Sequence, residues 1–228
     1  MAGSAALRVV LFGATGMVGS AVLEQCLADP AVERVVALGR RPCGVSHPKL
    51  REVLHSDFFD YGPVLDRLRG LNACFFTLGI SSVGRKEPEY TRDTYDLMLA
   101  AAQALLSVNP GMSFCYVSGS GTDSTGQGRV MWARVKGRTE NALMALPFAH
   151  VGMIRLAGLR PGKGFKSKTP WIRLSYALLR PLIPLFKLLG PGMVLDGATL
   201  GRAMIRAAQG KAGKKVLEPA DLAALGAA

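Results

Sequence analysis

Acid is scarce in this chain. Lysine and arginine number 28 against 16 aspartates and glutamates, a formal net charge of +12, and no aspartate or glutamate occurs from Asn141 to Leu195. The surplus comes without a recognition-helix motif and without interleaved basic and aromatic residues, which argues against nucleic acid as its partner. Three destinations for the charge remain: an anionic cofactor, an anionic or lipophilic small-molecule substrate, or a membrane surface. Long hydrophobic runs are also missing. No uncharged apolar stretch reaches the roughly 18 to 20 residues of a spanning helix. The opening "MAGSAALRVVLFGATG" lacks the look of a signal peptide, because its apolar run flows straight into a glycine loop. Metal-ligand spacing is absent too. Cys26, Cys43, Cys74 and Cys115 form no paired motif, and His47, His55 and His150 are scattered, so no metal site is expected. Unpaired cysteines fit a reducing compartment, and the expectation is a cytoplasmic protein. With no internal repeat and no low-complexity linker, residues 1–228 read as a single domain.

What is present alternates. "LRVVLF", "VERVVALGR", "REVLHSDF", "LNACFFTLG", "MSFCYVSGSG" and "HVGMIRLAGLRPG" read as six strands, with "VLEP" as a short final one. Between them lie helical patterns. Val18, Val22, Leu23, Cys26 and Leu27 share one face of the first, "EYTRDTYDLMLAAAQALLSV" is a long second, and "GRVMWARVKGRTE" lies on a third. Strands alternating with helices predict an α/β fold: a Rossmann-type, doubly wound parallel sheet with helices on both faces and right-handed crossovers.

Gly13, Gly16 and Gly19 form G-x-x-G-x-x-G between the first strand and the first helix. One glycine permits the tight turn, and another lets backbone approach a pyrophosphate. The helix N-terminus then offers free N–H groups to the phosphates. A site for NAD usually has a carboxylate at the end of the second strand, bonded to the ribose hydroxyls. Here the sequence is "LGRRP", with Arg40 and Arg41 and no acid. Two guanidiniums suit a dianionic 2′-phosphate, so the expected cofactor is NADP(H). Asp57, after the third strand, is placed to meet the adenine amino group. Leu78 and Gly79 end the fourth, where backbone passes close to the cofactor.

Together, "GATGMVG", "LGRRP", "TLGISS", "YVSGSGTD" and "VKGRTE" resemble the atypical short-chain dehydrogenases. The likeness is greatest to the subgroup of Tat-interacting oxidoreductase-like and NmrA-like proteins, and it covers about residues 7 to 165. The resemblance implies that Gly13, Thr15, Gly16, Val18, Gly19, Arg40, Arg41, Leu78 and Gly79 lie along the cofactor, and Met17 and Asp57 are expected beside them. It also implies that Lys136 contacts the nicotinamide ribose. In that family a tyrosine exchanges the substrate proton, and a lysine four residues later on the same helix face lowers its pKa. A serine after the fifth strand polarises the substrate oxygen, and either Ser118 or Ser120 fits. Lys136 is present, but the tyrosine position is Trp132. An indole N–H donates a hydrogen bond and exchanges no proton near neutral pH. Tyr90, Tyr95 and Tyr116 are the nearby substitutes. Three readings follow: a reductase that protonates without tyrosine, a redox sensor or scaffold that binds NADP without turnover, or a membrane-surface or partner-binding protein that keeps the fold as scaffold.

The acid-free region contains Arg155, Arg160, Lys163, Lys166, Lys168, Arg173, Arg180 and Lys187. We read residues 160–195 as a basic, apolar insertion within the domain. Pro170 suits a helix start, whereas Pro181 and Pro184 must bend or divide that helix. For residues 169–190 three readings stand: a substrate lid, a homodimer helix, or a helix lying peripherally on a membrane surface.

Overall fold

The computed structural model describes residues 6–160 and 193–228. Seven strands form one parallel sheet in the order β3-β2-β1-β4-β5-β6-β7. They are β1 (Leu7–Phe12), β2 (Val32–Gly39), β3 (Leu50–Leu54), β4 (Ala73–Phe76), β5 (Ser113–Val117), β6 (His150–Ile154) and β7 (Val216–Leu217). The order reverses between β1 and β4, and β2 and β4 both pair with β1 in parallel. In such sheets ligands bind outside the carboxyl ends of the strands at that switch point.

Alternation along each strand divides the core between two faces. Val9 and Leu11 of β1 join Phe75 and Cys115 under α1 (Met17–Ala28), α5 (Gly197–Ala208) and α6 (Pro219–Ala227). Val10 and Phe12 join Phe76, Phe114 and Tyr116 on the opposite face. There they meet a 3-10 helix (Gly62–Leu68), α3 (Leu97–Val108) and α4 (Met131–Met144). The doubly wound sheet expected from the periodicity is therefore present, and Cys74 and Cys115 are buried on β4 and β5 as free thiols.

Two features differ from the sequence reading. The long second helix begins at α2 (Glu87–Thr91) and passes through a π-helical turn, Arg92–Asp96, before α3. Helices α5 and α6 are additional. Asp196 caps α5 by accepting the Thr199 N–H at 2.8 Å, and α6 opens with a Glu218–Asp221 capping box.

Leu159 and Leu195 form a parallel bridge, and the Arg160 N–H donates to the Leu195 carbonyl at 2.7 Å. Lys163, Lys166, Lys168, Arg173, Arg180 and Lys187, and the lid, dimer and membrane readings of 169–190, lie outside the described residues.

Candidate functional site

The glycine loop is built by close contact between β1, α1 and the end of β4. Gly13 has φ 81°, and its carbonyl accepts the Gly16 N–H at 2.9 Å. A Cβ on Gly19 would stand 2.0 Å from the Gly13 carbonyl oxygen, so the first turn of α1 rests directly on the loop backbone. The Thr77 hydroxyl donates to the Phe12 carbonyl at 2.6 Å and closes the loop from β4. No acidic side chain occupies the first turn of α1 and no side chain caps it. The helix therefore presents its N–H groups outward, which suits the phosphates of a dinucleotide. Met17 and Val18 are half-buried and pack against the core.

A cleft opens here, lined by Gly13, Ala14, Thr15, Ala37, Leu38, Gly39, Arg40, Arg41, Cys43, Glu52, Phe58 and Leu78. Arg40 and Arg41 are exposed, and neither has an ion pair or side-chain hydrogen bond with a described residue. Two free cations on a glycine-built cradle fit a nicotinamide dinucleotide. Asp57 and Gly79 stand apart from this lining. The Asp57 carboxylate accepts the Phe59 N–H at 2.9 Å within its own turn, and Phe58 reaches the cleft instead. Gly79 is exposed, and a Cβ there would meet nothing within 4 Å, so close backbone approach does not demand glycine at that position. Sequence reasoning missed Glu52 and Cys43. An acid on an edge strand carries no distinguishing signal, and Cys43 belongs to no paired motif.

The second half of the site lies where β5 ends against α4. A Cβ placed on Gly119 would lie 3.7 Å from Trp132 Cζ3 and 3.9 Å from Lys136 Nζ, so indole and ammonium both face this backbone. Lys136 Nζ donates to the Ser118 carbonyl. The structure separates the two serines. Ser118 is buried and its hydroxyl donates to Glu140 Oε1 at 2.6 Å, which turns it into the core. The Ser120 hydroxyl is half-buried with no partner among the described residues, and only its N–H is engaged, to the Leu156 carbonyl. Ser120 is thus the available serine. Trp132 forms a wall over Gly119 and Gly121. Of the substitute tyrosines, Tyr90 and Tyr116 are buried, and burial pushes both phenols upward in pKa.

The exit loop is fixed by Asp123. Its carboxylate accepts the Thr125, Gln127 and Gly128 N–H groups and the Thr125 hydroxyl. Gly137 lets α4 lie against that loop, since a Cβ there would fall 1.6 Å from the Asp123 carbonyl oxygen.

Burial lowers the Lys136 amine from 10.5 to about 8, with the charge of Glu140, one turn on, acting in the opposite direction. The unfolded chain binds more protons than the folded one between about 8 and 10.5, so stability rises with pH across that window. Carbon-13 NMR of the reductively methylated protein should show a Lys136 signal with a midpoint near 8. A spectrum in which every lysine titrates above roughly 9.5 would contradict the buried setting of this amine.

No family model matches the chain. Leucinostatins biosynthesis cluster protein T of Purpureocillium lilacinum is 30% identical over 146 residues, which is 61% of this chain and 52% of that protein. The chain therefore spans about half the length of that relative. The protein fmp52, mitochondrial, of Emericella nidulans is 28% identical over 207 residues, 88% of this chain and 86% of its own. Among solved structures, MoeE5 in complex with UDP-glucose and NAD aligns with a TM-score of 0.66 at 21% identity, covering 92% of this chain and 75% of that one. The fold is the Rossmann-type, doubly wound α/β fold of that neighbour. One expectation is corrected: several relatives bear mitochondrial names, which overturns the cytoplasmic assignment. Unpaired cysteines and the absence of a signal-peptide pattern did not discriminate between reducing compartments.

Proposed function

We propose that this chain is a mitochondrial oxidoreductase that binds a nicotinamide dinucleotide, with NADP(H) preferred, and reduces a small molecule. One observation carries the reading: a glycine-built cradle continuous with two arginines that have no acidic partner among the described residues. Gly13, Thr15 and the first turn of α1 receive the pyrophosphate, Arg40 and Arg41 receive the 2′-phosphate, and Leu78 and Phe58 flank the adenosine. This assignment agrees with the resemblance to the Tat-interacting oxidoreductase-like subgroup. The solved neighbour MoeE5 holds NAD and UDP-glucose, which supports a dinucleotide and a small-molecule partner here.

A nicotinamide held in this cleft would supply hydride chemistry. The chain's own residues orient the acceptor and manage the proton. Lys136 holds the nicotinamide ribose from α4, Ser120 offers its free hydroxyl to the substrate oxygen, and Trp132 excludes water from one side. Because Trp132 gives no proton, the reaction protonates through Ser120 or solvent, which suits acceptors such as quinones or conjugated alkenes better than simple carbonyls.

Trp132→Tyr tests this division of labour. A tyrosine there stands one turn before Lys136, over the same Gly119–Gly121 backbone. NADPH oxidation with a panel of small aldehydes should rise by roughly a hundredfold, the usual yield of a positioned acid. Equal turnover by both proteins would show that no latent carbonyl reductase site exists and would favour a dinucleotide-binding sensor or scaffold.

A further inference from the structure

The adenosine end of the cleft contains one carboxylate, that of Glu52 on β3, opposite Ala37 of β2 in the strand register. It lines the same cleft as Arg40 and Arg41 and makes an ion pair with neither. An exposed carboxylate beside free guanidiniums ordinarily pairs with them, often bidentately. Here it is held elsewhere. Glu52 Oε1 accepts both the Cys43 N–H at 2.7 Å and the Cys43 thiol at 2.8 Å. Oε2 has no partner among the described residues. The clamp is short-range: Cys43 lies two residues beyond Arg41, on the turn that carries both arginines out of β2.

We propose that Glu52, clamped by Cys43, is a specificity-determining residue that sets how the cleft discriminates a ribose 2′-phosphate from a 2′-hydroxyl. Its free Oε2 accepts the ribose hydroxyl of NAD(H). The same fixed charge opposes the 2′-phosphate of NADP(H), so it narrows the preference that Arg40 and Arg41 create. The Cys43 clamp has a second consequence: it keeps the carboxylate from neutralising those arginines. The thiol suits this task. Burial and the neighbouring Glu52 push it up to about 11, so it remains a protonated donor at neutral pH. The inference rests on reading the cleft as a dinucleotide site.

The test is a double-mutant cycle on the full chain, with NADPH and NADH dissociation constants measured by calorimetry. Glu52→Gln should bind NADPH roughly fivefold more tightly and NADH about threefold more weakly, which widens the ratio. Cys43→Ala should weaken NADPH by about threefold, as the released carboxylate swings onto Arg40 or Arg41. Cys43→Ser, which keeps a donor, should behave as the unsubstituted protein. Once Glu52→Gln is in place, Cys43→Ala should add nothing, because no carboxylate remains to restrain. Circular dichroism melts confirm that each variant is folded. If the unsubstituted protein binds both dinucleotides but Glu52→Gln leaves their ratio unchanged, the inference fails and the cofactor reading stands. A Cys43→Ala effect of equal size in the Glu52→Gln background overturns the clamp as well. If the unsubstituted protein binds neither dinucleotide, the cofactor reading fails and the inference falls with it.

Discussion

Glu140→Ala should cost this protein about 3 kcal/mol of stability, measured by urea unfolding. Glu140 is fully buried on α4. Its carboxylate accepts the Ser118 hydroxyl at 2.6 Å and two guanidinium N–H groups of Arg155, at 3.1 and 2.5 Å. Arg155 is itself buried at the end of β6 and reaches Glu218 at 2.9 Å and the Ser124 hydroxyl at 2.6 Å. Removing Glu140 strands most of a buried positive charge, with only the half-exposed Glu218 left to compensate. Replacing both partners, Glu140→Leu with Arg155→Met, should recover much of the loss, because neither charge is then orphaned. A single-variant loss below about 1 kcal/mol would show that the pair is not the buried clamp its geometry indicates. The same network joins α4 to β5, β6 and the start of α6, so it also sets where Trp132 and Lys136 stand.

Gly19→Ala should abolish most dinucleotide binding while the sheet survives. Its Cβ would fall 2.0 Å from the Gly13 carbonyl oxygen, 2.5 Å from the carbonyl carbon and 2.7 Å from Thr77 Oγ1. No rotamer relieves a backbone overlap, so α1 must lift or the loop must move. Either response separates the N–H groups from the phosphates they would hold. Overpacking of this kind costs about 1 to 3 kcal/mol, and the affinity for NADPH should fall by roughly a hundredfold. Gly16→Ala is the control for stability. Its Cβ meets nothing nearer than the Gly13 carbonyl oxygen at 3.3 Å, so its melting temperature should change far less. A Gly19→Ala protein that binds NADPH normally would remove the loop from the site.

The sheet was legible in the sequence because its signals are local. β-Branched and aromatic runs mark β1, β2, β4 and β5, and glycines mark the turn into α1. Arg40 and Arg41 were legible for the same reason: the strand end that carries them can be located by counting. What could not be read depends on partners distant in sequence. Ser118 and Ser120 look alike until Glu140, 22 residues from Ser118, claims one of them. Arg155 falls in the acid-free, basic region of the sequence, yet it is buried against Glu140. Glu52 reaches the cleft beside Arg40 and Arg41 only because β3 pairs beside β2. Asp57 is spent on its own turn, a local hydrogen bond that short acidic side chains often make. Helix α5 went unread because its small residues, such as Gly197 and Gly201, serve packing on α1, where added Cβ atoms would meet Ala21 and Gln25.

The central claim is that the cleft at the carboxyl ends of β1 and β2 holds a nicotinamide dinucleotide and that Arg40 and Arg41 favour the 2′-phosphate. Calorimetric titration of the unsubstituted protein with NADPH and with NADH, at one fixed salt concentration, tests it most directly. The account predicts saturable binding of both, with NADPH the tighter by roughly tenfold or more. Equal affinities would contradict the role of the two arginines, and no binding of either would contradict the site itself.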